Sequence, residues 1–124
     1  MIEIGLKYTS ELTVTDAVTA MAVGSGDMPV LATPMMMALM ENAAMLAVAD
    51  ELPEGCTTVG GHIASSHLKP SKVGDTVTAT AEVVKVDGKK IEFKVSACSG
   101  DVLIGEGTHL RFVVDRERFM SKLG

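Results

Sequence analysis

The sequence predicts an α+β fold in which one curved antiparallel sheet wraps around a single long helix. Three features carry that expectation. From Pro34 to Ala49 the chain reads PMMMALMENAAMLAVA, apolar on every side of a helix except at Glu41 and Asn42. Residues 75–86 alternate instead, with Val77, Ala79, Ala81 and Val83 on one face and Thr76, Thr78, Thr80 and Glu82 on the other. Two turn signals, Asp87-Gly88 and Ser99-Gly100-Asp101, then join three consecutive strands into a meander. A helix that is hydrophobic all round belongs in an interior, and a sheet curved around it is the cover that buries it best.

The elements follow in order. Residues 9–20 carry a β-like run around Leu12 and Val14, and the glycine-bearing segment 24–32 reads as a flexible approach to the helix. Thr33-Pro34 gives a helix start, with threonine as N-cap and proline in the first turn. Pro53 and Gly55 end the helical pattern near 50–55. Residues 57–68, TTVGGHIASSHL, form the next strand. Strand 75–86 follows, with a bulge or twist where adjacent Val83 and Val84 break the period. The returning strand, KKIEFKVSAC, points Ile91, Phe93, Val95 and Ala97 one way, and a long last strand covers 102–114. The charged tail DRERFMSKLG ends in a short helix or frays.

The 124 residues fit one domain, 1–124, with no linker, repeat or low-complexity tract. One sheet around one helix is thin cover, so the unit is expected to pair as a homodimer. A net charge of −5 argues against general nucleic-acid binding, which needs a basic face. No apolar run reaches the length of a membrane span, and the N-terminus lacks the basic and apolar regions of a signal peptide. Cys56 and Cys98 make neither a metal pair nor a disulfide framework, so a reduced cytoplasmic setting is the simplest expectation. Aromatics are only 3% of the chain, and nine methionines take their place as adaptable core filler.

Glu41 is the first candidate for chemistry. A carboxylate among apolar side chains must be paired, protonated or put to use. The plain alternative is a buried Glu satisfied by backbone or by a basic group. His67 is second: on strand 57–68 it shares a face with Ile63 and Ser65, opposite His62, Ala64 and Ser66. A Glu–His pair can orient and activate water, whereas a lone strand histidine is more often structural. Thr33 has its own explanation as the helix N-cap. Gly60-Gly61 reads as a bulge, or as a close backbone approach with an amide available to polarise a carbonyl. Gly105 and Gly107 share a strand face and can let the helix pack close. His62, His67 and His109 lack tight ligand spacing, so no metal site is expected.

Taken together, LATPMMMALMENAA, TTVGGHIASSHLKPSKVGDTVTATAEV, VDGKKIEFKVSA and LIGEGTHLRFVVD resemble the hot dog fold thioesterases, in particular the fluoroacetyl-CoA thioesterase-like family. The resemblance runs from about Thr9 to Asp115. Its specific part is spacing: Thr33 before the helix, Glu41 eight residues on, Gly60 in the next strand and His67 near that strand's end. It implies hydrolysis of an acyl-CoA thioester in a cleft between two subunits, with no cofactor. Glu41 would attack the carbonyl or activate water, His67 would assist proton transfer, Thr33 would hydrogen-bond the site, and the Gly60 amide, with Gly61, would help hold the carbonyl oxygen. Eight helical residues span roughly 12 Å, so Thr33 and Glu41 cannot touch along one straight helix. The fluoroacetate-specific member gates its pocket with aromatics before the helix. Residues 24–32 here contain none, which argues against that specificity and leaves room for a different or larger acyl group. Met35, Met36, Met37 and Met40 either line such a pocket or pack the core. Lys69, Lys72, Arg111, Arg116 and Arg118 are the cations available to coenzyme A phosphates. The competing functions are a hot dog hydratase or dehydratase, disfavoured because Asp16, Asp27 and Asp50 have no histidine a few residues away, and a non-catalytic acyl-CoA-binding module.

Overall fold

The computed structural model describes residues 1–124. Strand β1 (Lys7–Thr13) leads through a single 3-10 turn (Asp16–Val18) into a short helix α1 (Ala20–Val23) and then the long helix α2 (Thr33–Ala49). Four strands follow, β2 (Cys56–His67), β3 (Thr76–Asp87), β4 (Lys90–Ser99) and β5 (Val102–Asp115), and a terminal helix α3 (Arg116–Ser121) closes the chain. All five strands form one antiparallel sheet in the order β1-β3-β4-β5-β2. The expected architecture is present, including the meander β3-β4-β5.

The core lies between the inner face of this sheet and one side of α2. The alternation in β3 and β4 puts Val77, Ala79, Ala81, Val83, Ile91, Phe93, Val95 and Ala97 on that face, and each is essentially fully buried. Met36, Met40, Ala43, Ala44 and Val48 of α2 meet them, also fully buried, while Met35 and Met37 pack at the margin. Core filling is therefore what Met35, Met36, Met37 and Met40 do, while Met1, Met21, Met28 and Met120 are exposed. Gly105 on β5 lets α2 approach, since a methyl there would sit 2.6 Å from the Met36 sulfur. Gly107 answers a different need: a methyl there would lie 1.9 Å from the Ala64 carbonyl oxygen, so it is β2 and not the helix that comes close.

Three sequence expectations are corrected. Residues 16–20, the end of the expected β-like run, form a 3-10 turn and the start of α1 and not a continuing strand, because Thr19 accepts a hydrogen bond from the Ala22 amide as an N-cap and Gly24, at φ 92°, stops the helix in the left-handed region. The approach segment is tied down: Leu31 N–H donates to Ser71 O and Ala32 N–H to Val18 O, each at 2.9 Å. The N-cap of α2 is Ala32, not Thr33, whose hydroxyl bonds elsewhere.

A register shift at Ile104, between Leu103 opposite Cys98 and Gly105 opposite Ala97, and two bulges shape the sheet. One falls at Val84–Lys85, where the broken period was read. The other falls at Gly61, between Gly60, which pairs with Arg111, and His62, which pairs with Leu110. Around it Thr58 and Gly60 face inward, Gly61 and His62 face outward, and Ile63 resumes the inner face. No helix is long and apolar enough to cross a membrane.

Candidate active site

The largest departure from the sequence reading concerns the environment of Glu41. The sheet covers only one side of α2, so Thr33, Pro34, Ala38, Asn42 and Leu46 are exposed on the other. The Glu41 side chain lies at the boundary, 41% exposed in the single chain. It is a carboxylate on an open apolar helix face, not an enclosed one. Asn42 beside it accepts a 2.7 Å hydrogen bond from Ser10 Oγ.

Behind Glu41 stands a buried cation. Arg111, only 6% exposed, places Nη1 3.9 Å from Glu41 Oε2, an ionic contact too long for a hydrogen bond. Its guanidinium is held by Thr58: Nε donates to the hydroxyl at 2.7 Å and Nη2 to the carbonyl at 2.8 Å. Its Nη1 lies 3.2 Å from Nε2 of His109, a ring that is 2% exposed. Desolvation lowers the His109 pKa from its ordinary value; the hydrogen bond to the His62 carbonyl opposes this, and the neighbouring Arg111 charge adds to it. Desolvation also lowers the pKa of Arg111, with Glu41 opposing. Gly60 completes this group. A methyl on it would lie 3.0 Å from Glu41 Oε2, 3.4 Å from His109 Cε1 and 3.6 Å from Arg111 Nη1, so the missing side chain is the space the carboxylate uses. Gly61 turns to the outer face beneath Phe112, where a methyl would come within 2.5 Å of the ring.

Thr33 and His67 form a second group at the start of α2. Thr33 Oγ1 and His67 Nδ1 are 2.7 Å apart, and either atom can donate. The bond is possible because His67 occupies the inner face of β2 and Thr33 the first turn of the helix. Burial lowers the His67 pKa, and the Lys69 backbone, which falls short of a full hydrogen bond, offsets part of this. Its Nε2 is buried with no partner. Both side chains border an open cleft of about 320 Å³, whose other walls include Val30, Leu31, Leu68 and Pro70, and whose only cation is Lys69. Lys72 pairs with Asp75 at 2.8 Å, and Arg116 and Arg118 sit on α3, which follows the far end of β5. Of the five candidate cations, Lys69 is the one beside the cleft and Arg111 the one beside Glu41.

The chain thus brings Glu41 together with Gly60, and Thr33 together with His67, but makes no direct contact between the two pairs. Sequence reading missed the Arg111–His109 pair, naming Arg111 only for phosphates and His109 only for metal. The signal was available: Gly105, Gly107, His109 and Arg111 share one face of β5 by parity, and a charged residue on an inner face needs a partner. The outward His62 keeps the three histidines from converging, and no group of metal-ligating side chains is assembled.

One long helix resting in a five-stranded antiparallel sheet is the architecture of the hot dog class, to which thioesterases belong. Solved structures of that class align over nearly the whole chain. A fluoroacetyl-CoA thioesterase matches with a TM-score of 0.92 at 33% identity, covering 99% of this chain and 96% of that one. A mutant of it in complex with acetyl-CoA matches at 0.93 and 32%, covering 98% and 96%. A thioesterase superfamily member from Thermus thermophilus matches at 0.91 and 26%, covering 99% and 91%. The chain belongs to the family described as fluoroacetyl-CoA-specific thioesterase, whose model matches residues 14–117. The fluoroacetyl-CoA thioesterase of Streptantibioticus cattleyicolor is 40% identical over 94 residues, 76% of this chain and 68% of its own length. The protein is therefore an enzyme, a thioester hydrolase.

Proposed function

We propose that the enzyme hydrolyses an acyl-CoA thioester to the free acid and coenzyme A, with Glu41 as the base or nucleophile. The observation that carries this reading is the Glu41 carboxylate, 3.9 Å from a buried arginine and free to reach outward over the space left by Gly60. As base, Glu41 takes a proton from water while the water oxygen adds to the carbonyl carbon. As nucleophile, its oxygen adds directly, and water later cleaves the resulting anhydride. In both routes the carbon–sulfur bond breaks and the departing thiolate takes a proton, which His67 delivers. The Gly60 amide holds the developing oxyanion. Thr33 fixes the His67 ring through their shared hydrogen bond.

The two pairs work across a cleft between subunits. Support comes from the uncovered side of α2, where Ala38, Met45 and Leu46 remain accessible around Glu41 and Asn42. A second copy seated there would bury these apolar groups and bring another Thr33–His67 pair toward Glu41. Free Cys56 and Cys98 suit a reducing, cytoplasmic compartment. The cleft beside His67 is bordered by Val30, Leu31 and Leu68 together with the polar Ser25, Thr33 and Lys69, and no Phe, Tyr or Trp lines it, which favours an acyl group other than fluoroacetyl.

The test is thiol release from a panel of acyl-CoAs by wild type and Glu41→Gln, with sedimentation to report the oligomer. We expect Glu41→Gln to stay folded and associated while losing at least a hundredfold in kcat. Full activity of Glu41→Gln across the panel would remove Glu41 from the mechanism. Tight acyl-CoA binding with no thiol release by wild type would point to a binding module instead.

A further inference from the structure

Arg111 has five N–H donors, and the geometry accounts for three of them. Thr58 takes the edge formed by Nε and Nη2, and His109 takes one proton of Nη1. The opposite ring nitrogen, Nδ1 of His109, lies 2.7 Å from the His62 carbonyl oxygen. A carbonyl can only accept, so Nδ1 carries the proton, and Nε2 is left with a lone pair directed at Arg111. The ring is further held by Phe93, which stacks on it with centroids 6.0 Å apart at an interplanar angle of 30°.

We infer that His109 is a positioning residue for the hydrolysis: as the uncharged Nδ1–H tautomer it fixes the rotation of the Arg111 guanidinium, and through it the placement of Glu41. Thr58 alone grips one edge of the guanidinium and leaves the Nη1 end free to tilt. His109 pins that end, which is the end facing Glu41 Oε2. The bulge at Gly61 contributes as well, because it places the His62 carbonyl where it selects the tautomer. A doubly protonated ring would offer Arg111 no lone pair and would set two cations 3.2 Å apart. The charged and titratable groups acting on the ring are Arg111 from its own strand, Glu41 from α2 and His62 from β2; β4 contributes the apolar Phe93. Desolvation of the buried ring favours the same neutral form.

This inference rests on the role proposed above for Glu41, and its test separates the two. His109→Phe keeps a ring against Phe93 but removes the acceptor, whereas His109→Gln restores an acceptor near the position of Nε2. We expect His109→Phe to lower kcat about tenfold, as a slightly misplaced catalytic group does, with KM within about twofold. His109→Gln should recover most of that loss at equal thermal stability. Equal losses in the two variants, or an undiminished kcat in His109→Phe, would overturn the inference. If His109→Phe fails to fold, the wild-type enzyme still decides the matter through a long-range proton–nitrogen spectrum of its three histidines. An Nδ1–H tautomer at His109 is expected, and an Nε2–H or doubly protonated ring at neutral pH would refute it. That spectrum does not depend on thiol release, so a wild type that hydrolyses nothing refutes the proposed function and leaves the clamp to be judged separately.

Discussion

Replacing Gly60 with alanine separates catalysis from stability more cleanly than removing any functional side chain. The backbone amide stays, and Gly60 is not among the glycines with positive φ, so alanine meets no conformational barrier. What changes is space. The new methyl would lie 3.0 Å from Glu41 Oε2, a few tenths of an ångström inside a comfortable carbon–oxygen contact. The carboxylate is the free end of a flexible, 41% exposed side chain and can swing aside at little cost. The contacts to His109 and Arg111, at 3.4 and 3.6 Å, are tolerable. Against this small repulsion, alanine stabilises by about 0.4–1 kcal/mol through the unfolded chain. The net change should fall within about 1 kcal/mol, or about 4 °C in Tm. Catalysis has no such tolerance: a displacement of about 1 Å costs roughly a hundredfold, so a few tenths should cost about three- to tenfold in kcat. Thiol-release kinetics beside thermal melting measure both quantities on one preparation. An unchanged kcat would show that Glu41 does not work from beside Gly60. A Tm drop beyond about 10 °C would show that the space is structural.

Other perturbations give contrasting signatures. Gly107→Ala drives a methyl to 1.9 Å from the Ala64 carbonyl, where neither strand backbone can yield, so chemical denaturation should show a loss of about 3 kcal/mol or more. Met36→Ala empties a fully buried position and should cost about 2–5 kcal/mol by the same measurement. Thr33→Val should leave stability within about 0.5 kcal/mol, since Thr33 does not cap α2, and reduce kcat by loosening His67; a loss near 1 kcal/mol would restore the capping role. His67 and His109 both have pKa values lowered by burial from 6.5. Below pH 6.5 the unfolded chain therefore takes up protons that the folded chain refuses. Stability should be intact above that pH and fall as pH drops toward the lowered folded values, which melting at a series of pH values will reveal.

The strands from β2 to β5 were legible because period-two alternation and Asp-Gly or Ser-Gly turns are local signals, and both bulges announced themselves as a doubled valine and a doubled glycine. The Thr33–Glu41 separation was legible too, because helical rise fixes it. Apolar composition alone misplaced Glu41 in an interior, since it cannot say which neighbour covers which side of a helix. Thr33-Pro34 resembled a cap because the residue types suit one, but the strand carrying His67 offers the hydroxyl a better partner. Residues 16–20 were misread because Thr19 and Gly24 act as a start and a stop for only one turn of helix. Arg111 and His109 were passed over one at a time; their meaning lies in sharing a strand face with each other and in meeting Thr58 across the sheet.

The Gly60–Gly61 bulge has one more consequence, for which lengths of this strand evolution can use. Thr58 and His67 are separated by an odd number of residues and yet both look inward, because the extra glycine shifts the phase of the strand between them. Deleting Gly61 alone would leave Gly60 and His62 opposite Arg111 and Leu110 as ordinary consecutive partners and keep His67 inward, whereas adding or removing one residue between His62 and His67 would send the His67 side chain to solvent. Length can therefore change at the bulge itself without moving His67 to the other face, but not between the bulge and His67. Relatives that keep this chemistry are therefore expected to hold the count from His62 to His67 fixed, with or without the bulge.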